Sequence, residues 1–199
     1  FTGCFSTIIN LSVYYFVDNI LNVEQVILEG ILIFSATVIF SYGINVVEKD
    51  YVKIAVDSQA ALSVMSIGAA VLYGMQREVG GVFALSEAFA LFSILFTIYK
   101  FGFGIGMSWT VIAGGLISAQ TGNTEYLTVW LIITLFAYAF LNILRGGRAI
   151  FVILFGAVYY GCGMMFYDFL LNETSLKALI SALFIFLFAP AKYMLKVDE

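Results

Sequence analysis

The sequence predicts an all-α fold: a polytopic transmembrane helix bundle of about eight spans joined by short hairpin loops. Two compositional facts and one pattern predict it. Of 199 residues, 62% are hydrophobic and 11% charged, against about 45–50% and about 25% in an ordinary soluble domain. Mean hydropathy is +1.03, more apolar surface than a soluble domain of this size can hide from water. The apolar residues fall into runs of roughly 17–25, the length a bilayer-spanning helix needs. The runs are apolar all round, without the alternation of a barrel strand.

The first run, Phe1–Val17, starts at the first residue, and Asp18–Glu24 closes it. The second, Gln25–Val46, carries Glu29 within about a turn of its start and ends at the charged stretch Val47–Val56. The third, Asp57–Met75, has an acid at its head and small residues every four positions: Ser66, Ala70 and Gly74. Gln76–Gly81 separates it from the fourth, Val82–Tyr99, which contains Glu87. Lys100–Phe103 is read as a break, and Gly104–Gln120 as the fifth span; without that break the two would form one long helix with a glycine hinge, giving seven spans. The polar turn Thr121–Glu125 precedes Tyr126–Leu144, and the basic turn Arg145–Arg148 precedes Ala149–Phe166. Tyr167–Thr174 leads into the last span, Ser175–Tyr193. Separators this short force neighbouring helices into antiparallel hairpins.

Orientation follows from the basic residues, which concentrate on cytoplasmic loops. With eight spans and a cytoplasmic C-terminus, Lys49, Lys53, Lys100, Arg145, Arg148, Lys192 and Lys196 share one side, and only Arg77 and Lys177 fall opposite. The whole chain reads as a single integral membrane domain, 1–199. Both ends look cut, so it is expected to be a piece of a longer protein.

Composition also restricts chemistry. The absence of histidine removes the commonest general base and zinc ligand. No acid cluster suggests a metal site, and no basic run suggests nucleic acid. Cys4 and Cys162 sit in apolar runs and read as small buried hydrophobes. The segment Lys100-Phe-Gly-Phe-Gly-Ile-Gly106 is glycine-rich but lacks the Gly-Lys-Ser/Thr ending of a phosphate loop. Asn172-Glu-Thr174 matches a glycosylation acceptor, which has no meaning in a bacterial protein. The chain is expected not to be an enzyme and to hold no cofactor.

Two sets of residues remain. One is the small residues at four-residue spacing: Ser66, Ala70 and Gly74; Gly106, Gly114 and Ser118; Ala157 and Gly161. In lipid, helices associate by close approach at such residues, so these are expected to serve as a helix-packing or oligomer face. The other set is the polar groups expected to be buried, Glu87 in the middle of span four and Asn142 in span six. Lys100, the one basic residue on its helix, is thirteen residues away, about 20 Å. Glu87 is therefore expected to be neutral and bonded to a hydroxyl, amide or carbonyl of a neighbouring span.

The last 100 residues carry a family resemblance. In order come Gly102-Phe-Gly-Ile-Gly106 through Gly114-Gly115, the turn Gln120-Thr-Gly-Asn123, an aromatic-aliphatic span, and Arg145-Gly-Gly-Arg148. Then come Phe155-Gly-Ala-Val-Tyr-Tyr-Gly161, an acidic loop, and a last span that begins Ser175-Leu-Lys-Ala-Leu and ends Leu187-Phe-Ala-Pro190. This order resembles the second half of the membrane domain of the stage II sporulation protein E family. The resemblance implies a bacterial membrane domain placed at the division septum or cell pole. It implies self-association, contact with a division-ring protein through the full-length parent, and a cytoplasmic phosphatase domain after residue 199. That domain would be a serine phosphatase needing Mn or Mg, acting in release of the forespore sigma factor; its metal-binding aspartates have no counterpart here. The rival reading is a small membrane transporter or the substrate-binding subunit of a vitamin transporter, with Glu87, Asn142 and Gln59 as its polar candidates.

Overall fold

In the computed structural model the described residues are 23–49, 57–75, 84–144, 147–166 and 171–189. They are all-helical, in seven helices: α1 Val23–Lys49, α2 Ser58–Gly74, α3 Leu85–Phe101, α4 Phe103–Thr121, α5 Glu125–Leu144, α6 Arg148–Phe166 and α7 Glu173–Phe188. The first expected span and most of the separators at Val47–Val56, Gln76–Gly81 and Tyr167–Thr174 lie outside the described residues. The C-terminal end of the last span lies outside them too. Among the described residues one helix is long and apolar enough to cross a membrane by itself, over Arg148–Met165 of α6, with 22% of that window buried. Phe34–Val46, Ser58–Gly74 and Glu125–Phe140 are apolar but shorter.

The chain divides inside α2 into two compact units, Phe1–Ile67 and Gly68–Glu199. In the first, α1 meets the start of α2 at Gly43. A Cβ there would lie 2.7 Å from Ile67 Cδ1 and 3.1 Å from the Ser63 carbonyl oxygen, so glycine sets how closely these helices approach. The Tyr42 hydroxyl donates to Asp57 at 3.1 Å, and Asp57 accepts from the Gln59 amide at 2.9 Å in the first turn of α2.

The second unit is built on hairpins. α3 stops at Phe101 and α4 starts at Phe103, with Gly102 between them at φ 85° and ψ −172°. That region is open essentially to glycine alone, which is why the chain reverses in one residue. Here α3 and α4 run antiparallel: Ile98 faces Gly106, and Trp109 Nε1 donates to Ser93 Oγ at 2.7 Å. The break expected at Lys100–Phe103 is thus a tight reversal and not a hinge in one helix. The next turn is also read from sequence chemistry. Gly122 takes a left-handed conformation at φ 71° to end α4, and Asn123 Oδ1 accepts from the Glu125 amide at 2.9 Å to start α5.

From α3 to α7 each helix packs on the next, and α7 returns onto α3, closing a ring of five. α6 and α7 are antiparallel, with Gly156 beside Leu183 and Phe151 beside Phe186. The closing pair is parallel, since Glu87 meets Ser175 and Tyr99 meets Phe186. The N-termini of α3, α5 and α7 therefore share one end of the unit. At the other end Tyr99, Phe151 and Phe186 pack mutually within 6 Å, and the Arg148 guanidinium lies over Phe186.

The outer surface is as rich in large apolar side chains as the core, which holds Leu91, Ile94, Trp130, Phe151 and Phe155 and takes in a few polar groups among them. Ser86, Glu87, Thr110, Ser118, Thr134 and Ser175 are buried, while Ile143, Ile153, Met165, Ile180, Phe184 and Phe188 are exposed.

Candidate functional site

Glu87 is the chemical centre of the second unit. It lies in the first turn of α3, not in the middle of its helix, because the described helix begins at Leu85. It is 2% exposed. The Tyr126 hydroxyl, from the first turn of α5, donates to one carboxyl oxygen at 3.1 Å. The Ser175 hydroxyl, from the first turn of α7, donates to the other at 2.8 Å. One side chain thus joins three helices. Tyr126 reaches it across the ring, since α3 and α5 are not neighbours there.

The electrostatics follow from the topology. At this end α3, α5 and α7 begin, each directing the positive end of its helix dipole toward it, while α4 and α6 end there. Each carboxyl oxygen of Glu87 thus accepts from a hydroxyl of a different helix. Tyr159, on α6, is fully buried. Trp130 sits edge-on to Tyr126, with rings 5.8 Å apart and 90° between planes.

Neither Tyr126 nor Ser175 stood out in the sequence, where both look like ordinary first residues of a span. One signal could have found them. In a chain of alternating hairpins, the starts of spans four, six and eight share a side, and Glu87 lies five residues from the expected start of span four.

The other expected site residues divide. Gly106, Gly114 and Ser118 are buried inside the bundle. A Cβ on Gly106 would collide with Ile98 of α3, lying 2.8 Å from its Cα, and one on Gly114 would lie 3.1 Å from Leu127 Cα of α5. Ser118 Oγ accepts from the Leu127 amide at 3.2 Å, filling one of the backbone donors that the start of α5 leaves open. Of the two roles proposed for this face, internal packing is the one these residues perform. On α2, Ser66 bonds back to the Leu62 carbonyl at 2.8 Å, and Ala70 and Gly74 face outward. On α6, Ala157 is exposed, and Gly161 has nothing within 4 Å of a Cβ position. Asn142 is exposed, not buried, because it falls on the outer face of α5 two residues before its end. Gln59 is exposed as well.

Among the described residues no three His, Cys, Asp or Glu side chains converge as metal ligands. Outside the centre, Glu173 and Lys177 pair at 2.5 Å on the exposed face of α7. The hydrogen bond and charge of Lys177 hold the Glu173 carboxyl below the usual glutamate range. Comparison with protein families, curated proteins and solved structures found no match for this chain.

Proposed function

We propose that this chain is the membrane-anchoring, self-associating domain of a sporulation serine phosphatase of the stage II sporulation protein E kind. In this reading it crosses a bacterial cell membrane about eight times, keeps its C-terminus in the cytoplasm, and places a phosphatase domain at the division septum. The parent, not this chain, carries the Mn- or Mg-dependent chemistry and the contact with the division ring.

The observation that carries the membrane reading is the apolar outer surface. Large apolar side chains face outward along α5, α6 and α7 (Ile143 73%, Met165 74% and Phe188 66% exposed), while hydroxyls and a carboxyl face inward. In water that surface would drive aggregation; in lipid it is the ordinary outer face of a bundle whose polar groups must find partners inside. The order of motifs from Gly102 to Pro190 supports the family assignment.

Self-association moves away from Gly106, Gly114 and Ser118 of α4, which are consumed inside the bundle. The outward stripe of α6, with Ile153, Ala157 and Gly161, suits it better. There the small residues allow close backbone approach.

The transporter reading has one observation in its favour, a buried carboxyl shared by three helices. Against it, Gln59 and Asn142, the other polar candidates, are exposed.

The test is localisation. Fused to a fluorescent protein in a spore-forming bacterium, the chain should collect at the asymmetric septum. Even distribution around the membrane would reject the septal role. Recovery in the soluble fraction would reject the membrane role.

A further inference from the structure

Charge is unevenly divided between the two ends of the second unit. Its described acids, Glu87, Glu125 and Glu173, all stand in the first turns of α3, α5 and α7. Lys177 lies at that end too, paired with Glu173. Among the described residues of the unit, the other end holds basic side chains and no acid: Lys100 in the last turn of α3 and Arg148 at the start of α6. Lys100 is buried, with its ammonium 5.3 Å from the Phe96 ring centre. Arg148 is half-buried, and its guanidinium lies over the Phe186 ring, 5.8 Å from the centre. Phe186 is itself fully buried and braced edge-on by Tyr99 and Phe151. The described acids of the unit lie a helix length from Arg148, so none of them neutralises it. Arg148 is also the first residue of the apolar window of α6, which puts it at the boundary of the segment able to cross a membrane.

We propose that Arg148 binds the phosphate of an anionic phospholipid, of the phosphatidylglycerol class, at the end of the bundle where α6 begins. The proposal rests on the membrane reading and adds to it a lipid that the surface selects. A guanidinium stacks on an aromatic ring by its face and grips a phosphate with the N–H groups of its edge. The rigid Phe186 ring supplies the seat, and the phosphate supplies the negative charge that the described acids of the unit do not. The level is right, because headgroups lie where an apolar window starts. The surface beside it is right for acyl chains: Phe184 and Phe188 of α7, on the turns that hold Phe186, are 61% and 66% exposed, with their rings 4.5 Å apart. Charge selects among lipids. The phosphate of phosphatidylcholine is balanced by its own ammonium, whereas that of phosphatidylglycerol is not, and basic residues near the membrane surface attract anionic lipid.

The test melts the whole chain, extracted from membranes into a neutral detergent, with added phosphatidylglycerol or phosphatidylcholine of matched acyl chains. Phosphatidylglycerol should raise the Tm by about 2–4 °C more than phosphatidylcholine does. Arg148→Gln should erase that difference, whatever it does to the Tm itself, while Lys177→Gln, at the opposite end, should keep it. A photoreactive phosphatidylglycerol, which needs no variant, should crosslink to the first turn of α6. Equal Tm values with the two lipids, a difference that survives Arg148→Gln, or crosslinks confined to the Lys177 end would overturn the proposal. The same gain from inorganic phosphate at equal ionic strength would also overturn it, by making this a site for a free anion. A chain recovered only from the soluble fraction defeats the membrane reading itself; a membrane-extracted chain without the lipid preference defeats this proposal alone.

Discussion

The two glycines at 106 and 115 lie on the same helix and give a matched test of how it packs. At Gly106 an added methyl would meet the Ile98 backbone, 2.8 Å from its Cα. No rotamer change relieves that contact; α3 and α4 must separate. Overpacking of this kind costs about 1–3 kcal/mol, and a backbone collision belongs near the top of that range. Alanine returns about 1 kcal/mol over glycine in a helix interior, so Gly106→Ala should be less stable by about 1–2 kcal/mol. At Gly115 nothing lies within 4 Å of the same methyl. Only the propensity gain remains, so Gly115→Ala should be more stable by about 0.5–1 kcal/mol. The predicted gap is about 2–3 kcal/mol between two identical chemical changes nine residues apart. Loss of ellipticity on heating in a mild detergent, or on titration with a denaturing one, measures it. Equal stability of the two variants, or a more stable Gly106→Ala, would refute the close α3–α4 approach.

Three further outcomes follow from named contacts. Glu87→Leu removes the acceptor of both the Tyr126 and the Ser175 hydrogen bonds and should cost about 2–3 kcal/mol, whereas Glu87→Gln, keeping one acceptor, should cost about 1 kcal/mol; a leucine tolerated as well as glutamine in thermal melts would contradict the three-helix node. Ser118→Ala uncaps the Leu127 amide and should destabilise by about 0.5–2 kcal/mol, read by faster hydrogen exchange at the start of α5; unchanged exchange there would show that the hydroxyl does not cap. The Glu173 carboxyl is held low by Lys177, so whatever the pair contributes is present above the usual glutamate range and fades as pH falls through the depressed value. Lys177→Gln should move the Glu173 titration upward in carboxyl NMR, and added salt should do the same in part; a titration that stays put would remove the pair.

Much of the architecture was legible because the signals are local. The turns at Gly102 and Gln120-Thr-Gly-Asn123 announce themselves by residue type, since only glycine fits φ 85° with an extended ψ, and asparagine bonds its own backbone. Which side of α4 faces inward was not legible. That helix is apolar all round and has small residues on both faces, Gly106, Gly114 and Ser118 inward and Gly104 and Ser108 outward. Composition cannot distinguish them when lipid and core are equally apolar. The partners of Glu87 were hidden for another reason. Tyr126 and Ser175 lie 39 and 88 residues away, and only the alternation of hairpins brings three span starts to one level. Asn142 was misread as buried because depth along a helix was judged without its angular position.

The central claim is that the ring of five helices crosses a bilayer, with the 122–125 turn and the basic 145–148 turn on opposite sides. Single cysteines placed at Asn123 and Gly147, in a background with Cys4 and Cys162 replaced by serine, test this with a membrane-impermeant maleimide on intact cells. The Asn123 position should label from outside at once, and the Gly147 position only after permeabilisation. Labelling of the Gly147 position in intact cells, or of neither position until lysis, would contradict the account.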